Sequence, residues 1–199
     1  MPEKIKACLL MGSPRKNGNT NSLLGPFLEE LAQHNFAVDK FWLYDLKIAP
    51  CIACRVCQQD WQGFNCKFRD DAWPIFDSIL VSDIIILASP IYCWYCTAPM
   101  KALLDRLMYG MNKYYGQERG PSLWAGKRVA IASTCGYEES KGPDLFEAGM
   151  RRYCKHSGLD YLGMLVERDM GYQTVFMDEN KALNARRFAG QLAAHLKRA

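Results

Sequence analysis

Apolar and polar positions alternate between two kinds of stretch along the chain. Residues 4–11 form a short apolar run that stops at Gly12-Ser13-Pro14, the pattern of a buried strand. Residues 20–34 place Leu23, Leu24, Phe27, Leu28 and Leu31 at helical spacing, one apolar stripe on a helix. Residues 37–43 alternate through Val38, Phe41 and Leu43 and predict a second strand. A helix follows over 71–81 (Trp73, Ile75, Phe76, Ile79, Leu80), and then the nearly all-aliphatic run 83–88. Such a run suits a central parallel strand covered on both faces. The same logic predicts helices over 98–109, 143–156 and 178–197 and strands over 128–133 and 159–166. Asp178-Glu179 and Lys197-Arg198 flank the last helix as its dipole favours.

Five strands alternating with helices imply a parallel sheet with right-handed crossovers and helices on both faces. The chain has 199 residues, of which 49% are apolar and 23% charged. That bounds it to one α/β domain spanning 1–199 with a large core. Two loops, 50–70 and 110–126, are long enough to expect function in them. The net charge of +4 has no concentrated basic block behind it, which gives no case for nucleic acid. No apolar run is long enough to span a membrane. Nine cysteines, an odd number with no export signal in view, fit a reducing, cytoplasmic location.

Residues 12–21 lie between the first strand and the first helix, where an open parallel sheet places ligands. Ser13, Asn19, Thr20, Asn21 and Ser22 offer hydroxyls and amides, Arg15 and Lys16 offer charge, and Gly12 and Gly18 admit a close backbone. Free N–H groups at the helix start favour an anion. The segment has neither the Gly-Lys-Ser/Thr of a Walker loop nor the glycine spacing of a dinucleotide fold. A plain polar turn capped by Asn19 or Thr20 accounts for one or two of these residues, not for the run.

The loop Ser89-Pro90-Ile91-Tyr92-Cys93-Trp94-Tyr95 ends the third strand, beside the first loop at the switch point. Backbone N–H groups and aromatic rings there can frame a planar heterocycle. Taken alone, the aromatics read as packing residues; their clustering in a strand-end loop argues otherwise. Together with residues 12–20, Cys51 and Cys54, Asp70-Asp71 and Met100–Arg106, this loop makes the chain resemble the flavodoxin-like NAD(P)H-dependent FMN reductases. Iron–sulfur flavoproteins are a branch of that family. The resemblance covers residues 4–136 and extends beyond by strand–helix order.

The resemblance implies a three-layer α/β/α fold, strand order 2-1-3-4-5, with FMN at the carboxyl edge. By position, Ser13, Arg15, Asn19, Thr20 and Asn21 hold the phosphate. Pro90, Ile91, Tyr92, Cys93 and Trp94 line the isoalloxazine, and Thr134 and Gly136, beside Cys135 and Tyr137, meet its other side. Cys93-Trp94-Tyr95-Cys96 is bulkier than the family's usual segment. The implied activity is hydride transfer from NADH or NADPH to FMN and onward to a quinone, flavin, nitro or azo compound. The alternative is an iron–sulfur flavoprotein or flavodoxin-type electron carrier; the +4 charge speaks against an acidic carrier. The flavin carries the chemistry, so no catalytic side chain is assigned. The resemblance also implies a homodimer or homotetramer.

Cys51-x2-Cys54-x2-Cys57 and Cys66 form the third motif. This spacing can wrap a cluster corner closed by a remote cysteine, and the resemblance makes that a [4Fe–4S] cluster. Core cysteines, a four-thiolate zinc site and a remnant motif without metal remain open beside it. His34, His156 and His195 read as solvated or capping residues, Asp70-Asp71 as an N-cap, and 109–115 as a loop beside the flavin.

Overall fold

The computed structural model describes residues 4–198 except residue 172. Five parallel strands lie in the order β2-β1-β3-β4-β5: β1 (Ile5–Met11), β2 (Phe36–Trp42), β3 (Ile84–Pro90), β4 (Arg128–Cys135) and β5 (Asp160–Arg168). The helices are α1 (Asn19–Gln33), α2 (Ala72–Val81), α3 (Ala98–Met111), α4 (Asp144–Ser157) and α5 (Glu179–Arg198). This is the flavodoxin-like topology that the resemblance implied.

The sheet carries one core on each face. Cys8, Leu10, Ile85, Leu87, Val129 and Ile131 face α2, α3 and α4. Leu9, Met11, Ile84, Ile86, Ala130 and Ala132 face α1 and α5. The aliphatic run of β3 is therefore buried on both sides, as a central parallel strand requires.

Register brings the site together. Met11 lies opposite Ala88, Ala88 opposite Ala132 and Pro90 opposite Thr134. The loops after the three central strands thus leave the sheet at one level, the carboxyl edge.

The element ends differ from the sequence pattern where polar residues continue a ladder. β4 runs two residues further, through Thr134 and Cys135, with its end tied by the Ser133 hydroxyl, which donates sideways to the Ser89 carbonyl at 2.7 Å. Leu43 leaves β2 to start a 3-10 turn. α3 continues to Met111, two residues beyond the expected end of that helix.

Candidate functional site

The loop from Gly12 to Gly18 is stitched to the sheet edge by its backbone. Gly12 N–H donates to the Ala88 carbonyl at 2.7 Å, and the Thr97 hydroxyl donates to the Gly12 carbonyl at 2.7 Å. A Cβ at Gly12 would sit 2.9 Å from the Thr97 hydroxyl and 3.2 Å from Met100, so this position needs glycine for close approach rather than for its φ. Gly18, not Asn19 or Thr20, occupies the N-cap of α1, and no side chain caps that helix. Asn21 N–H donates to the Gly18 carbonyl at 3.0 Å, which leaves the N–H groups of Asn19 and Thr20 for an anion. The plain capped turn, the alternative weighed for this segment, is not what forms: the Thr20 hydroxyl meets that of Thr134 at 2.8 Å, buried.

The other residues expected at the phosphate divide into two kinds. Ser13 is buried; its hydroxyl accepts from Arg15 N–H and donates to the Arg15 carbonyl, both at 3.3 Å. Asn21 donates to the Lys16 carbonyl and accepts from Lys40, each at 2.8 Å. Both side chains brace the loop itself. Arg15 and Asn19 instead face an open cleft shared with Asp169, Gly171 and Thr174. Lys16 is paired with Asp45.

The Thr20–Thr134 bond fixes the start of α1 against the end of β4. Thr20→Val leaves the Thr134 hydroxyl buried without a partner, at a cost of about 1–3 kcal/mol. Thr20→Ser retains the bond and recovers most of that loss. Urea unfolding of the two variants checks the pair.

The second loop is a tight reversal. Tyr92 and Tyr95 exchange both backbone bonds, at 2.8 and 3.0 Å. Cys93 and Trp94 between them take φ of +49° and +63°, as a type I′ turn demands. Non-glycine residues there are held against a steric cost. Ile91 N–H donates to the Thr134 carbonyl at 2.9 Å. Ser89, buried, donates to the Pro90 carbonyl at 2.9 Å and accepts from Thr97 N–H at 3.2 Å. Tyr92, Cys93 and Trp94 are exposed at the edge.

The loop after β4 closes against this turn. Trp94 stacks on Tyr137 with ring centroids 6.3 Å apart and 18° between planes, and its indole N–H donates to the Lys141 carbonyl at 3.1 Å. Thr134 is buried, and Gly136 is exposed with only the Asp169 carbonyl near its missing Cβ, at 4.0 Å. Tyr44, after β2, adds a further exposed ring against Tyr92 and Thr97; burial pushes its phenol up. The sequence offered no signal for Tyr44, since nothing in the pattern says that a turn after β2 folds back over the edge.

The cysteine loop forms a separate site. All nine cysteines are free, and Cys51, Cys54, Cys57 and Cys66 line one small cavity of about 20 Å³ with Phe64, Arg106 and Tyr109. The Cys51 sulfur accepts from Ala53 N–H at 3.4 Å. Burial pushes the Cys57 thiol up. Among the described residues no three His, Cys, Asp or Glu side chains converge on a single metal ion. Four thiols around one cavity are the donor chemistry used both by a polynuclear iron–sulfur cluster and by a four-thiolate zinc site.

Three expectations need correction around this loop. Asp71 holds the N-cap position of α2 without a side-chain cap, because its carboxylate takes the Lys47 N–H at 2.7 Å. Asp70 does cap α2, accepting from Ala72 N–H at 3.2 Å, but it also accepts from Ala49 N–H at 2.9 Å and pairs with both Arg106 Nη atoms at 2.8 and 3.1 Å, a role the expectation lacked. Residues 109–115 pack on the cysteine loop, not on the carboxyl edge: Tyr109 and Tyr115 rings lie 4.7 Å apart, and the Tyr109 carbonyl accepts from Cys57. α3 starts at the edge and carries Arg106 to Gly110 roughly 12–18 Å along its axis from Ala98. The cysteine cavity is thus offset from the edge site. The histidines are bonded locally, His34 to Glu30, His156 to Tyr115 and His195 to Asp160.

The family model for NADPH-dependent FMN reductases matches residues 5–142. An iron–sulfur flavoprotein of Archaeoglobus fulgidus is 38% identical over 107 residues, covering 53% of this chain and 47% of that protein. One from Methanosarcina thermophila is 36% identical over 102 residues, covering 51% and 52%. The matched stretch spans about half the length of these curated relatives. An NAD(P)H:quinone oxidoreductase from Methanothermobacter marburgensis superposes with a TM-score of 0.75 at 15% identity, covering 96% of both chains; that likeness speaks to the fold. The family match takes in β1, the phosphate loop, the cysteine loop, the Pro90–Trp94 turn and β4, and the chain belongs to the NADPH-dependent FMN reductase family.

Proposed function

We propose that the chain is an FMN-dependent oxidoreductase that takes hydride from NADPH or NADH and passes electrons to a small acceptor such as a quinone, a flavin, or a nitro or azo compound. The observation that carries this reading is the uncapped start of α1 standing at the same sheet edge as the Pro90–Trp94 turn. In this reading the first-turn N–H groups, Arg15 and Asn19 hold the FMN phosphate, while Ser13, Thr20 and Asn21 keep the loop in shape. Pro90, Ile91, Tyr92, Cys93 and Trp94 border one side of the ring site, and Thr134 and Gly136 border the other. FMN bound there supplies hydride acceptance and one-electron transfer; the side chains orient it and limit water, and none is needed as acid or base. The cytoplasm as location and assembly into two or four copies belong to the same reading; sedimentation tests the assembly.

Anaerobic rapid mixing of the flavin-loaded protein with NADPH tests the reductase. Fast bleaching of the flavin band supports it. An unchanged band with either nucleotide rejects it and leaves an electron carrier.

A second reading is favoured by the cysteine cavity. With Cys51, Cys54, Cys57 and Cys66 on one wall, the chain has the donor set for a [4Fe–4S] cluster, as the names of its curated relatives suggest. When present, such a cluster supplies one-electron storage. Iron and acid-labile sulfide in anaerobically purified protein test it; flavin without iron rejects it.

A further inference from the structure

The charge around the cysteine cavity is one-sided. Arg55, Lys67 and Arg106 line it, and among the described residues no carboxylate does. Behind the wall, Lys113 is completely buried, its ammonium donating to the Cys57 carbonyl at 2.7 Å and the Gly63 carbonyl at 2.6 Å. Among the described residues no carboxylate is within ion-pair contact of it, Asp60 acting on it only at longer range, whereas the charge of Arg106 is matched by Asp70 in direct contact. A buried ammonium without a contacting counter-ion is expensive, and a neutral side chain would satisfy two carbonyls at far less cost. A second observation points the same way. The buried Arg106 Nε–H, on a side chain lining the cavity, has no acceptor. A cationic wall with a spare donor is complementary to an anionic, sulfur-rich occupant.

We propose that Lys113 is a positioning residue for that occupant: its fixed positive charge, held against the Cys57 backbone, balances the negative charge of a four-thiolate iron–sulfur group. This deepens, and rests on, the iron–sulfur reading above. The charge favours the more negative, reduced state of the group, so removing it favours the oxidised state. A purely structural lysine, needed only to tie Cys57 to Gly63, would have no such effect.

The test uses the full chain, purified anaerobically as wild type, Lys113→Gln and Lys113→Arg. Iron, zinc and sulfide are assayed, and the midpoint potential is read by a titration followed by paramagnetic resonance. In Lys113→Gln the oxidised-to-reduced ratio at a fixed poise rises about tenfold, which is about 59 mV for one electron. Lys113→Arg stays near wild type. If Lys113→Gln loses its iron, retention by Lys113→Arg still upholds the charge argument, and loss in both overturns it in favour of shape. A cluster-bearing Lys113→Gln with an unchanged potential overturns this proposal alone. Wild type lacking iron and sulfide, or holding zinc, overturns the iron–sulfur reading and this proposal with it.

Discussion

Asp70→Ala lowers stability by about 3–5 kcal/mol, because it strands the Arg106 guanidinium in the interior. That side chain is 1% exposed and its partner 15%, so solvent cannot take over the missing charge. Two further bonds raise the cost: Arg106 donates to the Ala49 carbonyl at 2.9 Å and reaches the Phe68 carbonyl at 3.5 Å. Residues 49 and 68 flank the cysteine loop, so the ion pair clamps its base from both sides. The expected fall in Tm is roughly 6–20 °C for a chain of this size, and thermal unfolding measures it. Burial alone would push the Asp70 carboxyl up, but Arg106 and the Ala49 and Ala72 N–H groups outweigh it and hold the carboxyl below its usual range. A depressed carboxylate stabilises the fold above its ordinary pKa and stops doing so as pH falls through the depressed value. The gap between wild type and Asp70→Ala is therefore full at neutral pH and closes only in strong acid. A gap that closes on raising the pH, or a loss below about 1 kcal/mol, contradicts the clamp.

Gly110→Ala is the second large effect. A methyl group at this position would overlap the Phe64 ring. Phe64 cannot swing away: it is buried, stacked on Phe76 at 4.4 Å and set edge-on to Trp73 at 5.4 Å. Overpacking of this kind costs about 1–3 kcal/mol. Because Phe64 lies on the cysteine cavity, the strain is relieved by moving the loop, so thiol labelling of Cys57 accelerates with the loss of stability. Phe64→Leu in the same chain makes room and recovers part of the loss, the coupling expected of residues in contact. Additive effects in the double variant contradict the contact.

The fold was legible because each strand announces itself through burial. The run 83–88 is aliphatic on both faces as β3 is covered on both faces, and the stripe of α1 lies on the core it faces. The ends were less legible. Thr134 and Cys135 look like a loop but continue β4, where Thr134 is held sideways by Thr20. The loop 12–18 and the Pro90–Trp94 turn could be placed at strand ends because local composition marks them. What joins them could not: Thr20 to Thr134 and Trp94 to Tyr137 are contacts between segments far apart in the chain. The same holds for Asp70, whose place before a helix suggests the cap it makes to Ala72 but not the ion pair with Arg106, 36 residues on. Lys113 reads as an exposed loop residue because nothing local foretells that a lysine will be sealed under a cysteine loop.

The central claim is that the carboxyl edge between Gly12–Gly18 and Pro90–Trp94 binds FMN. The most direct measurement is a titration of free FMN with the metal- and flavin-depleted protein, followed by flavin fluorescence. The account predicts saturation at one FMN per chain, weakened by Arg15→Ala at unchanged stability, since Arg15 is exposed and makes no core contact. No change in FMN fluorescence over the titration, or saturation that Arg15→Ala leaves untouched, contradicts it.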